Sequence, residues 1–135
     1  MSPYNLRSKI NIRIYYEDTD AGGVVYHSKY LNFAERARAE FLRDLSLEQA
    51  FIKEKYKVKF VVKNLKVSYL FACKLDDQII LITDLESINR AKLCFRHIFY
   101  KDREVVSKIE ATICCISNTG KVARMPKSLY HKFIN

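Results

Sequence analysis

Three residue types are scarce in this chain of 135 residues: it has no tryptophan, two prolines and three glycines. So little proline excludes a proline-rich linker, and no low-complexity tract or internal repeat is visible. With nearly half its residues hydrophobic, the chain reads as globular rather than disordered. Its length fits one domain over residues 1–135 around a single sizeable core. No apolar run approaches the ~20 residues that span a bilayer. Residues 1–9 lack the apolar segment of a secretory signal. A cytoplasmic location is the expectation.

The four cysteines, Cys73, Cys94, Cys114 and Cys115, form no C-x-x-C pair. They have no His or acid partners at metal-ligand spacing, so no metal is expected. They read as small buried hydrophobes in a reducing compartment.

Acids are outnumbered, 15 against 24 basic residues, which gives a net charge of +9. Such an excess suits a polyanionic partner: nucleic acid, an acidic carrier protein, an anionic membrane or a nucleotide-bearing ligand. The basic residues are scattered among acids, with no aromatic–basic stripe, so nucleic acid is not expected.

Two of the three glycines stand side by side in Tyr15-Tyr16-Glu17-Asp18-Thr19-Asp20-Ala21-Gly22-Gly23-Val24-Val25-Tyr26-His27. Three carboxylates, a flexible turn and a histidine meet there, between a strand pattern and a helix pattern. An acid placed before a helix N-terminus suits hydrolysis. The helix end offers unpaired N–H donors and positive potential, and the acid supplies a base or nucleophile.

Residues 9–17 alternate with period two and predict a strand. Residues 28–45 place Tyr30, Phe33, Ala34, Ala37, Phe41 and Leu45 at helical spacing, with Ser28 as N-cap and Arg36–Glu40 as an i, i+4 pair. A short helix is expected over 46–55. Strands follow over 58–71, 78–88, 91–101 and 104–117, with a bulge near Lys63-Asn64 that keeps one face buried. Lys127 to Phe133 predicts a terminal helix. One long apolar helix with closely spaced antiparallel strands gives an α+β fold, the sheet wrapped around the helix.

Residues Tyr16 to Ser28, followed by Tyr30-Leu31 and Glu35-Arg36-Ala37-Arg38, closely resemble the hotdog-fold acyl-CoA thioesterases. Within these the match is to the Tol–Pal-associated, YbgC-type branch, related to the 4-hydroxybenzoyl-CoA thioesterases. Phe60-Val61-Val62, Lys74-Leu75-Asp76-Asp77 and Pro126-Lys127-Ser128 extend it over nearly the whole chain. The resemblance implies a five-stranded antiparallel sheet around a central helix, and homodimers or homotetramers with the site at the dimer interface. It implies Asp20 as nucleophile or general base, and the N–H near His27 as oxyanion donor. Arg90 and Lys92 match a basic stretch that contacts CoA in relatives; Arg124 and Lys127 are further basic candidates. A proline common before Leu-Asp-Asp is replaced by Ala72. No cofactor is implied, since CoA belongs to the substrate, and acyl carrier protein is the alternative thiol carrier.

Other roles stay open on the residues themselves. Asp20 before glycine also serves plain turn chemistry. The His27 ring with an acid would suit a hydratase or dehydratase. Asp18 suits a hydrogen-bonding role, and Glu35 a salt bridge with Arg36 or Arg38. Tyr15, Tyr26 and Tyr30 suit an acyl tunnel or core packing. A basic surface without turnover would make the chain a binding module for acyl carrier protein.

Overall fold

A computed structural model describes residues 6–134 of the chain. Its order is β1 (Arg7–Arg13), α1 (Lys29–Asp44), α2 (Gln49–Tyr56), β2 (Val58–Tyr69), β3 (Gln78–Ile88), β4 (Lys92–Lys101), β5 (Glu104–Ser117), β6 (Val122–Ala123) and α3 (Lys127–Ile134). The strands form one antiparallel sheet in the order β1-β3-β4-β5-β2, with β6 pairing β5. The sheet therefore has six strands rather than five. The sixth is two residues long, too short to leave a period-two signal.

Helix α1 buries Tyr30, Phe33, Ala34, Ala37, Phe41 and Leu42. These fall on one wide stripe, which the sheet covers. Past its C-cap, Ser46 takes a left-handed conformation (φ 58°). Ser46 N–H donates to Arg43 O at 2.9 Å and Leu47 N–H to Leu42 O at 2.8 Å, a Schellman closure without glycine. Asp102 and Arg103 also have positive φ, at the tight turn between β4 and β5. Polar residues thus take left-handed positions that glycine usually fills, which is how so few glycines suffice.

The N-terminal end of α1 departs from expectation. Ser28 stands at the cap but makes no side-chain hydrogen bond to it. Glu40 pairs with Arg43 at 3.5 Å rather than with Arg36, whose guanidinium lies 5.6 Å from the Phe33 ring centroid. Strand β1 ends at Arg13, and Tyr16–Asp18 is a 3₁₀ turn.

The β2 bulge occurs where expected, with the register shifting between Val62 and Asn64. No face of β2 is buried throughout: Val62 and Leu65 are exposed. The strand lies at an open edge of the sheet. Cys73 and Cys115 are buried, and Cys94 and Cys114 half-buried.

The core has two parts. One gathers Phe41, Leu42, Ile52, Leu85, Phe95, Ile113 and Leu129; the other Tyr30, Phe33, Ala37, Leu81, Phe99 and Ile109. On β3 and β4 the residues between these groups are Thr83 and His97, both fully buried. No helix among the described residues is long and apolar enough to cross a membrane.

Candidate active site

The segment between β1 and α1 folds into a small closed loop. Thr19 bridges Val25 and Val24 bridges Lys74, so the loop is stitched to the connection between β2 and β3. Val25 N–H donates to Cys73 O at 2.8 Å. Asp20 N–H donates to Val24 O at 2.9 Å, and Asp20 O accepts from Gly23 N–H at 3.0 Å. Gly23 takes φ +82°, a position that only glycine fills without strain.

The Asp20 side chain is held by the same turn. Its Oδ1 accepts from Gly22 N–H at 2.9 Å and, more weakly, from Val24 N–H at 3.4 Å. Its Oδ2 accepts no hydrogen bond among the described residues. One oxygen fixes the carboxylate, and the other is available for chemistry.

Asp18 is turned to a different task. It is buried, accepts from Tyr15 N–H at 2.9 Å and pairs with Lys29 Nζ at 3.5 Å. Its carbonyl accepts from Tyr26 N–H at 2.9 Å. Asp18 therefore braces the loop, and Glu17 is exposed.

Asp20 and His27 line one open depression of about 300 Å³, with Val24, Tyr30, Tyr69 and Phe71. The His27 carbonyl accepts from Tyr69 Oη at 2.8 Å, which fixes the main chain where α1 begins. Burial raises the pKa of Tyr69, keeping that hydroxyl a donor. The N–H groups of His27 and Ser28 find no acceptor among the described residues. The His27 ring is exposed and touches Tyr26 and Tyr69, with ring centroids 4.4 and 6.5 Å away, and among the described residues it pairs with no carboxylate.

Of the tyrosines considered as tunnel or core, Tyr30 is buried at the depression, and Tyr15 and Tyr26 are exposed. Tyr69 and Phe71 read from the sequence as part of the strand over 58–71, and nothing there places them or Leu70 at the site they line. The signal that could have found them is the unbroken apolar run Tyr69-Leu70-Phe71, where β2 ends at Tyr69 rather than at Phe71.

Arg90 and Lys92 lie elsewhere. Arg90 Nε donates to Met125 O at 2.8 Å, tying the β3–β4 turn to the approach of α3, and Lys92 is exposed at the start of β4. Lys92 pairs with Cys114, which pairs with Val61, whereas Phe99 pairs with Ser107, which pairs with Tyr69. The basic turn and the Asp20 depression therefore sit at opposite ends of the sheet, about 23 Å apart along β4. The expected Glu35 salt bridge is absent: among the described residues Glu35 makes no ion pair with Arg36 or Arg38. Arg38 reaches into the core instead, and its Nη1 lies 3.1 Å from His97 Nε2. No three His, Cys, Asp or Glu side chains among the described residues are placed to hold a metal ion.

The sequence profile of the thioesterase-like superfamily matches residues 15–133. The chain belongs to this superfamily. Acyl-CoA thioesterase YbgC from Haemophilus influenzae is 42% identical over 111 residues, 82% of this chain and 81% of that protein. Acyl-CoA thioester hydrolase YbgC from Escherichia coli is 38% identical over 125 residues, 90% of this chain and 92% of that one. A probable thioesterase from Bartonella henselae superposes with a TM-score of 0.84 at 27% identity, covering 89% of this chain and 99% of its own. The helix-wrapped sheet described above is thus the hotdog fold of this superfamily. The superfamily profile runs from the Asp20 loop into the terminal helix, and the two YbgC relatives cover 82% and 90% of the chain.

Proposed function

We propose that this protein hydrolyses acyl-CoA thioesters to the free acid and CoA, with Asp20 as the reacting carboxylate. The observation that carries this reading is the Asp20 side chain: one oxygen held by Gly22 N–H, the other free, beside the start of α1. The relatives named acyl-CoA thioesterases support the reaction class.

Asp20 Oδ2 attacks the thioester carbonyl, or takes a proton from water that does so. In both routes the C–S bond breaks and CoA leaves as a thiolate that takes up a proton; in the first, a water then hydrolyses the acyl–Asp20 anhydride to the free acid. In either, negative charge develops on the carbonyl oxygen. The unpaired N–H of His27 and the dipole of α1 stabilise it. The main-chain N–H carries this role, so the ring of His27 is dispensable. A dehydratase would need an acid beside that ring, and its contacts are aromatic.

The depression is shallow within one protomer, and the dimer completes it in this proposal. Val62, Leu65, Tyr69, Leu70 and Phe71 are exposed along the open β2 edge and its continuation. Antiparallel pairing of β2 with the same strand of a second copy covers them. It also brings the Val61 end of one protomer, with Arg90 and Lys92, to the Asp20 end of the other. Those cations then meet the CoA phosphates. Tol–Pal association, a tetramer and acyl carrier protein as a second carrier enter this reading through the resemblance alone, and a cytoplasmic location is part of it as the default.

The test is free-thiol release from a panel of acyl-CoAs. Asp20→Ala is expected to lower kcat at least about hundredfold, and His27→Ala to stay within about tenfold of the parent. An Asp20→Ala protein as fast as the parent removes the proposed role. A His27→Ala protein as slow as Asp20→Ala returns the ring to the chemistry.

A further inference from the structure

A row of polar side chains crosses the core and has no part in the hydrolysis described above. His97 is fully buried, with Nδ1 2.8 Å from Thr83 Oγ1 and Nε2 3.1 Å from Arg38 Nη1. A guanidinium can only donate, so Nε2 is the acceptor and the ring proton sits on Nδ1, donated to Thr83. Burial first, and the Arg38 charge second, push the His97 pKa down to about 3, so this tautomer persists at neutral pH. Arg38 is thereby anchored through a single N–H.

Its remaining N–H groups have no acceptor among the described residues, and none of its nitrogens is both buried and unpartnered. They open on a second pocket of about 300 Å³, where Arg38 shares the wall with Leu42, Phe60, Val62, Phe95 and Ile113. Burial lowers the Arg38 pKa, and Glu35, exposed at the rim, opposes this through its charge without forming an ion pair, so no carboxylate among the described residues occupies the open N–H groups. A plain alkyl chain entering here would strip water from a fixed cation and offer nothing in return. A carboxylate offers two oxygens to the open side of the guanidinium, the pairing that geometry favours.

This pocket lies at the Val61 end of β2, so in one protomer it is remote from Asp20. In the antiparallel dimer it adjoins the partner's Asp20 depression, separated by a few residues of strand, about 10 Å. That is the reach of a short acyl chain.

We propose that this pocket receives the free end of the acyl group, and that Arg38, positioned by His97, selects chains ending in a carboxylate. The substrates are then CoA monothioesters of dicarboxylic acids. This inference rests on the thioesterase and dimer reading given above.

The experiment compares kcat/KM for succinyl-, glutaryl- and adipyl-CoA with butyryl-, pentanoyl- and hexanoyl-CoA, matched by chain length. The wild-type protein is expected to favour the best dicarboxylic member about tenfold or more over its alkyl match. Arg38→Gln is expected to abolish that preference. His97→Leu, which never touches substrate, abolishes it too, while His97→Gln, which keeps an acceptor for Arg38, restores it. Hydrolysis of alkyl thioesters with equal or lower rates on the dicarboxylic series overturns the inference and leaves the thioesterase reading intact. An Arg38→Gln protein that keeps the preference overturns it as well. No thiol release from any member overturns both.

Discussion

At the scale of single residues, Asp20 depends on what its neighbours lack. A Cβ on Gly22 would lie 3.2 Å from Asp20 Oδ1, so any side chain there pushes the carboxylate aside by a few tenths of an ångström. A Cβ on Gly23 meets nothing within 4 Å, but φ +82° strains any other residue. The two glycines therefore fail in different ways when changed to alanine. Gly22→Ala is expected to lower kcat about tenfold with a nearly unchanged melting temperature, because a small misplacement at the reacting group is costly. Gly23→Ala is expected to cost about 1 kcal/mol of stability, read by denaturant titration. Equal loss of stability in both would mean that Gly22 merely shapes the turn. That glycines mark this turn was legible in the sequence. The hydrogen-bonding role of Asp18 was legible too, and the loop bears it out; which Asp20 oxygen stays free was not, because it depends on how that carboxylate turns once the loop closes.

At the scale of elements, periodicity located nearly every strand and helix, including the β2 bulge, because those segments are long and half-buried. It failed where length or context ruled. Strand β6 is two residues long. Residues 14–17 keep the alternation of β1, yet the chain turns to place Asp18 under the loop. The apolar residues of β2 looked like core and lie on an open edge instead. Their exposure is explained if a second copy covers them. Pairing β2 with itself over Val58–Tyr69 sets Leu65 opposite the partner's Val62, close to the two-fold axis. Leu65→Lys then places two like charges in a desolvated strip. Its dimer is expected to dissociate at least about hundredfold more readily in analytical ultracentrifugation, with thioesterase activity lost in parallel. A Leu65→Lys protein that stays dimeric would move the interface off this edge.

At the scale of the whole molecule, the polar row of Thr83, His97 and Arg38 links sheet to helix between the two parts of the core. The sequence pointed Arg38 to a salt bridge with Glu35, and the structure turns it to His97, which shares the inward parity of Leu93, Phe95 and Phe99. That the two meet requires α1 to cross β4 at this level, which no local pattern states. The row also makes fold stability depend on acidity. The His97 pKa is about 3 in the native protein, against 6.5 for an unperturbed imidazole. Between these values the unfolded chain binds a proton that the native chain excludes. Stability is therefore complete above pH 6.5 and declines as pH falls toward 3, by up to about 1.4 kcal/mol per unit. Ordinary carboxylates are half-protonated only near pH ~4, so the part of this window above about pH 5 reports mainly the histidine. His97→Gln removes the titrating group and keeps an acceptor for Arg38, so its melting temperature is expected to stay level from pH 7 to pH 5 while the wild type falls. Parallel curves for the two proteins would show that His97 protonates without leaving its place, and the row would then not be what holds the helix to the sheet in acid.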